Sequence, residues 1–299
     1  MTTRVNFLLI FGLMLILVFH TKETKAQIEG SKLNEELSKI EGRVTVYYPD
    51  LFESEASEIQ KLIELAIEYY NHHLKINIPI SVFLLGPEEF EKYSKERWGS
   101  EAPYNTFLPF VVPGTPASMY LPLNAGSALD FFTLKAIEGS PSIIPIGSTS
   151  QEMSQRFTTL VGLHELGHQY MRELKITQPV HWFQEMMANF IADAFLLEAS
   201  PADAKLWISL MEAYENNLIP TNKTFSGIHK GGQENYVWWQ GNTALLAREL
   251  YNIHGLDFIQ KMQDFNNEKI FQEDDPNFII ALDVISPGFK QWALKYDHF

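Results

Sequence analysis

The sequence predicts an α+β protein: a mixed α/β lobe in the first half, then a mainly helical lobe. Three observations predict it. Up to about residue 150, β-branched alternating segments are interleaved with amphipathic ones. Beyond that point apolar residues recur at three- and four-residue steps. A Gly/Pro/Ser-rich tract, EGSPSIIPIGSTS (138–150), marks the boundary between the two halves. The expected organisation is a leader over residues 1–26, an α/β lobe over 27–150 and a helical lobe over 151–299.

The leader comes first. MTTRVNFLLIFGLMLILVF places Arg4 before an apolar run from Phe7 to Phe19, and the polar tract HTKETKAQ offers Ala26 as a cleavage point. A membrane span needs about 20 apolar residues, so this shorter run reads as an export signal. The expected destination is a periplasm or the extracellular space, with an uncleaved N-terminal anchor as the alternative. Elements then follow in order. RVTVYYP (43–49) reads as a strand, and 54–74 as a helix with Ile59, Leu62, Ile63, Ala66, Ile67 and Tyr70 on one stripe. INIPISVFLLG (76–86) reads as a second strand and PEEFEKYSKERWG (87–99) as a short helix opened by proline. TFLPFVVPG (106–114) and ASMYLPL (117–123) are further strands, and the chain up to 150 reads as loop. Helices are expected over 151–174, 181–198, 201–217, 233–254 and 256–264, and near 286–296.

Composition bounds the function. The chain has 299 residues, 45% hydrophobic and 13% aromatic, enough for a sizeable core. Removing residues 1–26 takes away Arg4, Lys22, Lys25 and Glu23 and leaves 20 basic against 36 acidic residues, a net charge of −16. Such a chain, without a basic cluster, is a poor partner for nucleic acid or anionic membrane. It has no cysteine, so a zinc site must be built from histidine and carboxylate.

TTLVGLHELGHQYM (158–171) supplies such residues. The helix carrying it is apolar nearly all round and should be buried. His164, Glu165 and His168 are then costly unless each has a partner. Residues i and i+4 lie about 40° apart and about 6 Å along a helix, so both imidazoles can converge on one ion. Glu165 points about 60° from His168, close enough to hold a water without ligating. This is a His-Glu-x-x-His arrangement, two ligands plus a general base.

The third ligand follows from helix rise. From His168 the helix descends about 9 Å to Leu174, and Pro179 closes the turn. A second helix folding back from Val180 climbs about 8 Å to Glu185, level with His168, and one turn more to Asn189, level with His164. His181 sits too near the bottom of the hairpin to reach the ion. Asn189 and Asp193 are candidates to hold a ligand imidazole by its other nitrogen. His72 and His73 read as surface residues.

These residues resemble the gluzincin metallopeptidases, in particular bacterial peptidase MA-like proteins. The matching segments are HELGHQYM, HWFQEMMANFIADAF and YVWWQGNTALLARELYNIHG, within residues 158–255. Trp182, Glu185 and Ala188 fit the family's second motif, while Met186 stands for its glycine and Phe190 for its tyrosine. Thermolysin-like members carry Asp where this chain has Asn189. The resemblance implies a zincin-like fold with the active site between the lobes, and one Zn2+ held by His164, His168 and Glu185. It implies an exported hydrolase that cleaves peptide or protein substrates, with Glu165 activating a zinc-held water. Related aminopeptidases place an oxyanion-stabilising tyrosine three residues before a glycine; that position is Trp238, before Gly241. Tyr236 is the candidate donor, with His229 an alternative and simple packing another. The amino-terminus-gripping Gly-x-Met-Glu-Asn motif is missing; ASMYLP (117–122) is the candidate for an edge strand that pairs with substrate, with an ordinary sheet strand as the alternative. A non-catalytic zinc- or peptide-binding protein is the alternative to a peptidase.

Overall fold

The alternating segments pair into one sheet. A computed structural model describes residues 36–90, 93, 108–123, 127–266, 270–271 and 276–296. Strands β1 (Ser38–Ile40), β2 (Thr45–Tyr48), β3 (Ile80–Leu85), β4 (Phe110–Val112) and β5 (Ala117–Pro122) lie in the order β1-β2-β3-β5-β4. The β2–β3 and β3–β5 pairs are parallel, and both outer pairs are antiparallel. Helix α1 (Glu53–Leu74) provides the crossover between β2 and β3. Alternation along β3 and β5 sends Ile80, Val82, Leu84, Ala117, Met119 and Leu121 into the main core. The opposite face carries an aromatic row, in which Tyr47 stacks on Phe83, Phe83 on Tyr120, and Tyr120 on Tyr93, at ring separations of 4.8, 4.8 and 4.4 Å.

The remaining described elements are helices: α2 (Ala128–Gly139), α3 (Ser150–Glu173), α4 (His181–Ala199), α5 (Pro201–Asn217), α6 (Gly227–Lys230), α7 (Gly232–His254), α8 (Asp257–Asn266), α9 (Pro276–Ile285) and α10 (Phe289–Ala293). The architecture is mixed α+β; the main hydrophobic core runs from Val44, just before β2, to Tyr296 near the last helix, and a smaller cluster lies on the other face of the sheet. Among the described residues no helix is long and apolar enough to cross a membrane. The expected leader, residues 1–26, lies outside the described residues, as does most of the helix expected over 87–99.

Three α-helices, α2, α6 and α9, stand where the sequence reading had loop or nothing. Helix α2 occupies part of the supposed loop; its Ser127 side chain accepts from the Asp130 amide and caps it. Helix α9 and strand β1 are short and were not expected.

Helix α3 positions the site. A capping box starts it, with Thr149 accepting from the Glu152 amide and Glu152 reaching back to the Thr149 amide. It packs on α1 and β5 on one side and on α4 on the other, so its apolar circumference is buried as expected. Lys175, in the left-handed region at φ 58°, turns the chain, and α4 returns alongside α3.

Candidate metal centre

Three donor atoms converge between α3 and α4. The Nε2 atoms of His164 and His168 are 3.1 Å apart. Glu185 Oε2 lies 3.0 Å from His164 Nε2 and 3.5 Å from His168 Nε2. This His164, His168 and Glu185 group could hold a metal ion. His164 and Glu185 are buried, whereas the His168 side chain keeps 18% exposure and marks the open side. A close helix approach makes the convergence possible. A Cβ on Gly167 would stand 2.6 Å from the Ala188 carbonyl oxygen, so only glycine lets α4 pass at this distance.

A second ring of side chains fixes the first. Asn189 Nδ2 donates to Gln240 Oε1 at 3.2 Å and to Thr243 Oγ1 at 3.1 Å. Its Oδ1 is thereby left to accept from His164 Nδ1 at 2.7 Å. With the proton on Nδ1, His164 turns the lone pair of Nε2 toward Glu185. Gln240 Nε2 donates to Glu185 Oε2 at 2.6 Å, closing a circuit through His164, Asn189, Gln240 and Glu185. Tyr236 reaches the same oxygen, its hydroxyl donating at 3.3 Å.

Electrostatics agree with the geometry. Burial alone would push the Glu185 carboxyl up, but His168, His164 and His181 more than offset it and hold it well below the ordinary range. Burial likewise works against a charged His164, yet Glu185 raises it. Three acceptor atoms facing one another need a proton or a metal ion among them. Glu165 differs: burial pushes its carboxyl up against the pull of both imidazoles. It borders a cavity of about 40 Å³, lined by Phe157, Val161, Trp207 and Met211 along with His164 and Glu165. A water requires about 10–15 Å³, so a few waters fit beside this carboxylate.

Several sequence expectations are revised. His181 does not join the three-donor group, but its Nε2 stands 3.5 Å from Glu185 Oε1, so the side chain reaches a ligand that its backbone height did not suggest. Of the two candidates to hold an imidazole, Asn189 does so, while Asp193 pairs with Arg248. ASMYLP is not an edge strand; β5 has β3 on one side and β4 on the other, which among the described residues leaves β4 at the sheet margin. Trp238 points away and donates to the Glu215 carbonyl. His229 sits on α6, but its side chain lies outside the described residues. His72 and His73 are exposed, as expected. Gln240 and Thr243 were missed. The available signal was a run of polar side chains, Tyr236, Gln240 and Thr243, at helical steps on a largely buried helix.

No family model and no curated protein matches this chain.

Proposed function

We propose that the chain is a zinc-dependent peptidase of zincin-like fold, exported to a periplasm or beyond the cell and acting on peptide or protein substrates. The observation that carries this reading is the donor triangle, with sides of 3.0, 3.1 and 3.5 Å. A tetrahedral zinc with bonds of about 2.0–2.1 Å has ligand-to-ligand edges of about 3.3 Å. Two imidazoles and one carboxylate are a zinc donor set, and they leave a fourth position open on the His168 side. Calcium and magnesium prefer oxygen donors.

When bound, zinc polarises a substrate carbonyl and lowers the pKa of water toward about 7. The chain's own residues supply the rest. Glu165 takes a proton from the attacking water on its carboxylate and passes it to the leaving amine. Burial shifts its carboxyl upward, which makes it a better acceptor of that proton than an exposed glutamate. Tyr236 brings its hydroxyl to 3.3 Å from the ligand carboxylate and is our candidate donor to a developing oxyanion. Asn189 and Gln240 keep His164 and Glu185 in register. The carboxylate of Glu165 favours this reading over a purely zinc-holding protein, because ligation alone has no use for it.

Metal analysis of the purified chain and a chelator-controlled peptide-library digest test the proposal. Glu165→Gln should keep zinc and lose about 10²-fold or more of the turnover. A Glu165→Gln protein as active as the parent would remove Glu165 from its role. A zinc-loaded chain that cleaves no peptide in the library would favour the binding-protein alternative.

A further inference from the structure

We propose that His181 is a positioning residue that keeps Glu185 a one-oxygen ligand and so preserves the open coordination position. The inference rests on the metal-binding part of the reading above. Helix α4 carries polar side chains one turn apart at His181, Glu185, Asn189 and Asp193 on an otherwise apolar helix. Each of the last three has an assigned partner across a helix interface. His181 Nε2 lies 3.5 Å from Glu185 Oε1, one turn along the same helix.

The two oxygens of Glu185 have unlike surroundings. Oε2 faces His164, His168, Gln240 and Tyr236. Oε1 faces His181 Nε2 at 3.5 Å, an i,i+4 polar contact longer than a good hydrogen bond. The His181 ring leans against that of Tyr236, with centroids 6.3 Å apart and 41° between planes, which limits where it can swing. A carboxylate binds a metal through one oxygen or through both. Were Oε1 released, Glu185 could rotate and add its second oxygen to the ion as a fifth donor, crowding the position that a three-ligand site leaves for water or substrate. Holding Oε1 on the far side prevents that. Sequence spacing explains why His181 can do this: residues four apart share one helix face.

Cobalt(II) reports coordination number directly, because four-coordinate cobalt absorbs visible light far more strongly than five-coordinate cobalt. The test loads the full chain, the His181→Ala variant and the His181→Gln variant with Co2+ and compares their visible spectra at equal metal content. The expected result is intense bands for the parent, a clear loss of intensity for His181→Ala, and recovery in His181→Gln, whose amide can donate to Oε1. His181→Leu keeps bulk against Tyr236 and replaces the Ala variant should that one fail to fold. Identical spectra for the parent and the Ala or Leu variant overturn the role of His181, as does a Gln variant that matches Ala. A parent that takes up no stoichiometric cobalt overturns the metal reading, and the inference with it.

Discussion

Two carboxylates on α4, two helical turns apart, are both buried and are neutralised in opposite ways. Asp193 meets Arg248, whose Nε and Nη2 donate to its two oxygens at 3.0 and 2.7 Å. Its countercharge is part of the chain. Glu185 meets two imidazoles, a glutamine amide and a phenol, with His181 behind it. None of these carries a permanent positive charge. A buried carboxylate without a fixed cation is costly, and imidazoles give it up to a metal as readily as to a proton. The difference teaches that α4 has a fixed countercharge at its Asp193 end and, at its Glu185 end, a donor group that could hold a metal ion.

Mutation should separate the two ends. The largest effect is expected from His168→Ala, which removes one of three donors: zinc content, measured on the dialysed protein, should fall to background while the fold survives. Retention of stoichiometric zinc would show that the triangle is not the site. Arg248→Met should do the reverse. It strands Asp193 in the core, at a cost of about 3 kcal/mol in urea unfolding at neutral pH, and leaves zinc stoichiometry unchanged. A smaller effect belongs to Asn189→Ala, which frees His164 Nδ1 and should weaken zinc binding by about 10-fold or somewhat more. Competition against a chromophoric chelator measures it; unchanged affinity would mean that the 2.7 Å contact does not orient the ring.

The same contrast shows what the sequence could and could not disclose. The α3–α4 hairpin was legible because helix rise is fixed, so counting residues either side of Pro179 set Glu185 and Asn189 against the two histidines. Gln240 was not legible. It meets Glu185 from 55 positions away, and only tertiary packing sets that register. Helix rise also kept His181 out of the donor group, as found, but rise measures backbone height and says nothing of side-chain reach along the helix, by which His181 approaches Glu185. The β5 strand looked like an edge because strand order depends on crossovers, which local alternation does not encode. Helix α2 was hidden by the glycine, proline and serine around it, although its cap, Ser127, is an ordinary one.

The last and subtlest difference between the two ends is in pH dependence. Burial pushes the Asp193 carboxyl up, and the pull of Arg248 only partly opposes it, leaving the group at about 6. Its ordinary value is 3.8. Between these values the folded chain holds a proton on Asp193 that the unfolded chain has released, so folding binds protons. The contribution of Asp193 to stability is therefore full below about pH 4 and is lost as pH rises through about 6, at a slope of up to about 1.4 kcal/mol per pH unit. Asp193→Asn removes the titrating group. The slopes of unfolding free energy against pH for the parent and the variant should then differ between pH 4 and 6, with the parent falling more steeply as pH rises. Parallel curves would mean that Arg248 holds Asp193 ionised throughout this range, and the pair would then be a fully formed salt bridge. The same titration should soften Arg248→Met, because a stranded Asp193 can take up a proton. Without the pull of Arg248 its carboxyl moves up from about 6, so the destabilisation should shrink as pH falls toward about 6 and stay level below it, whereas a change in packing alone would leave the loss constant at every pH.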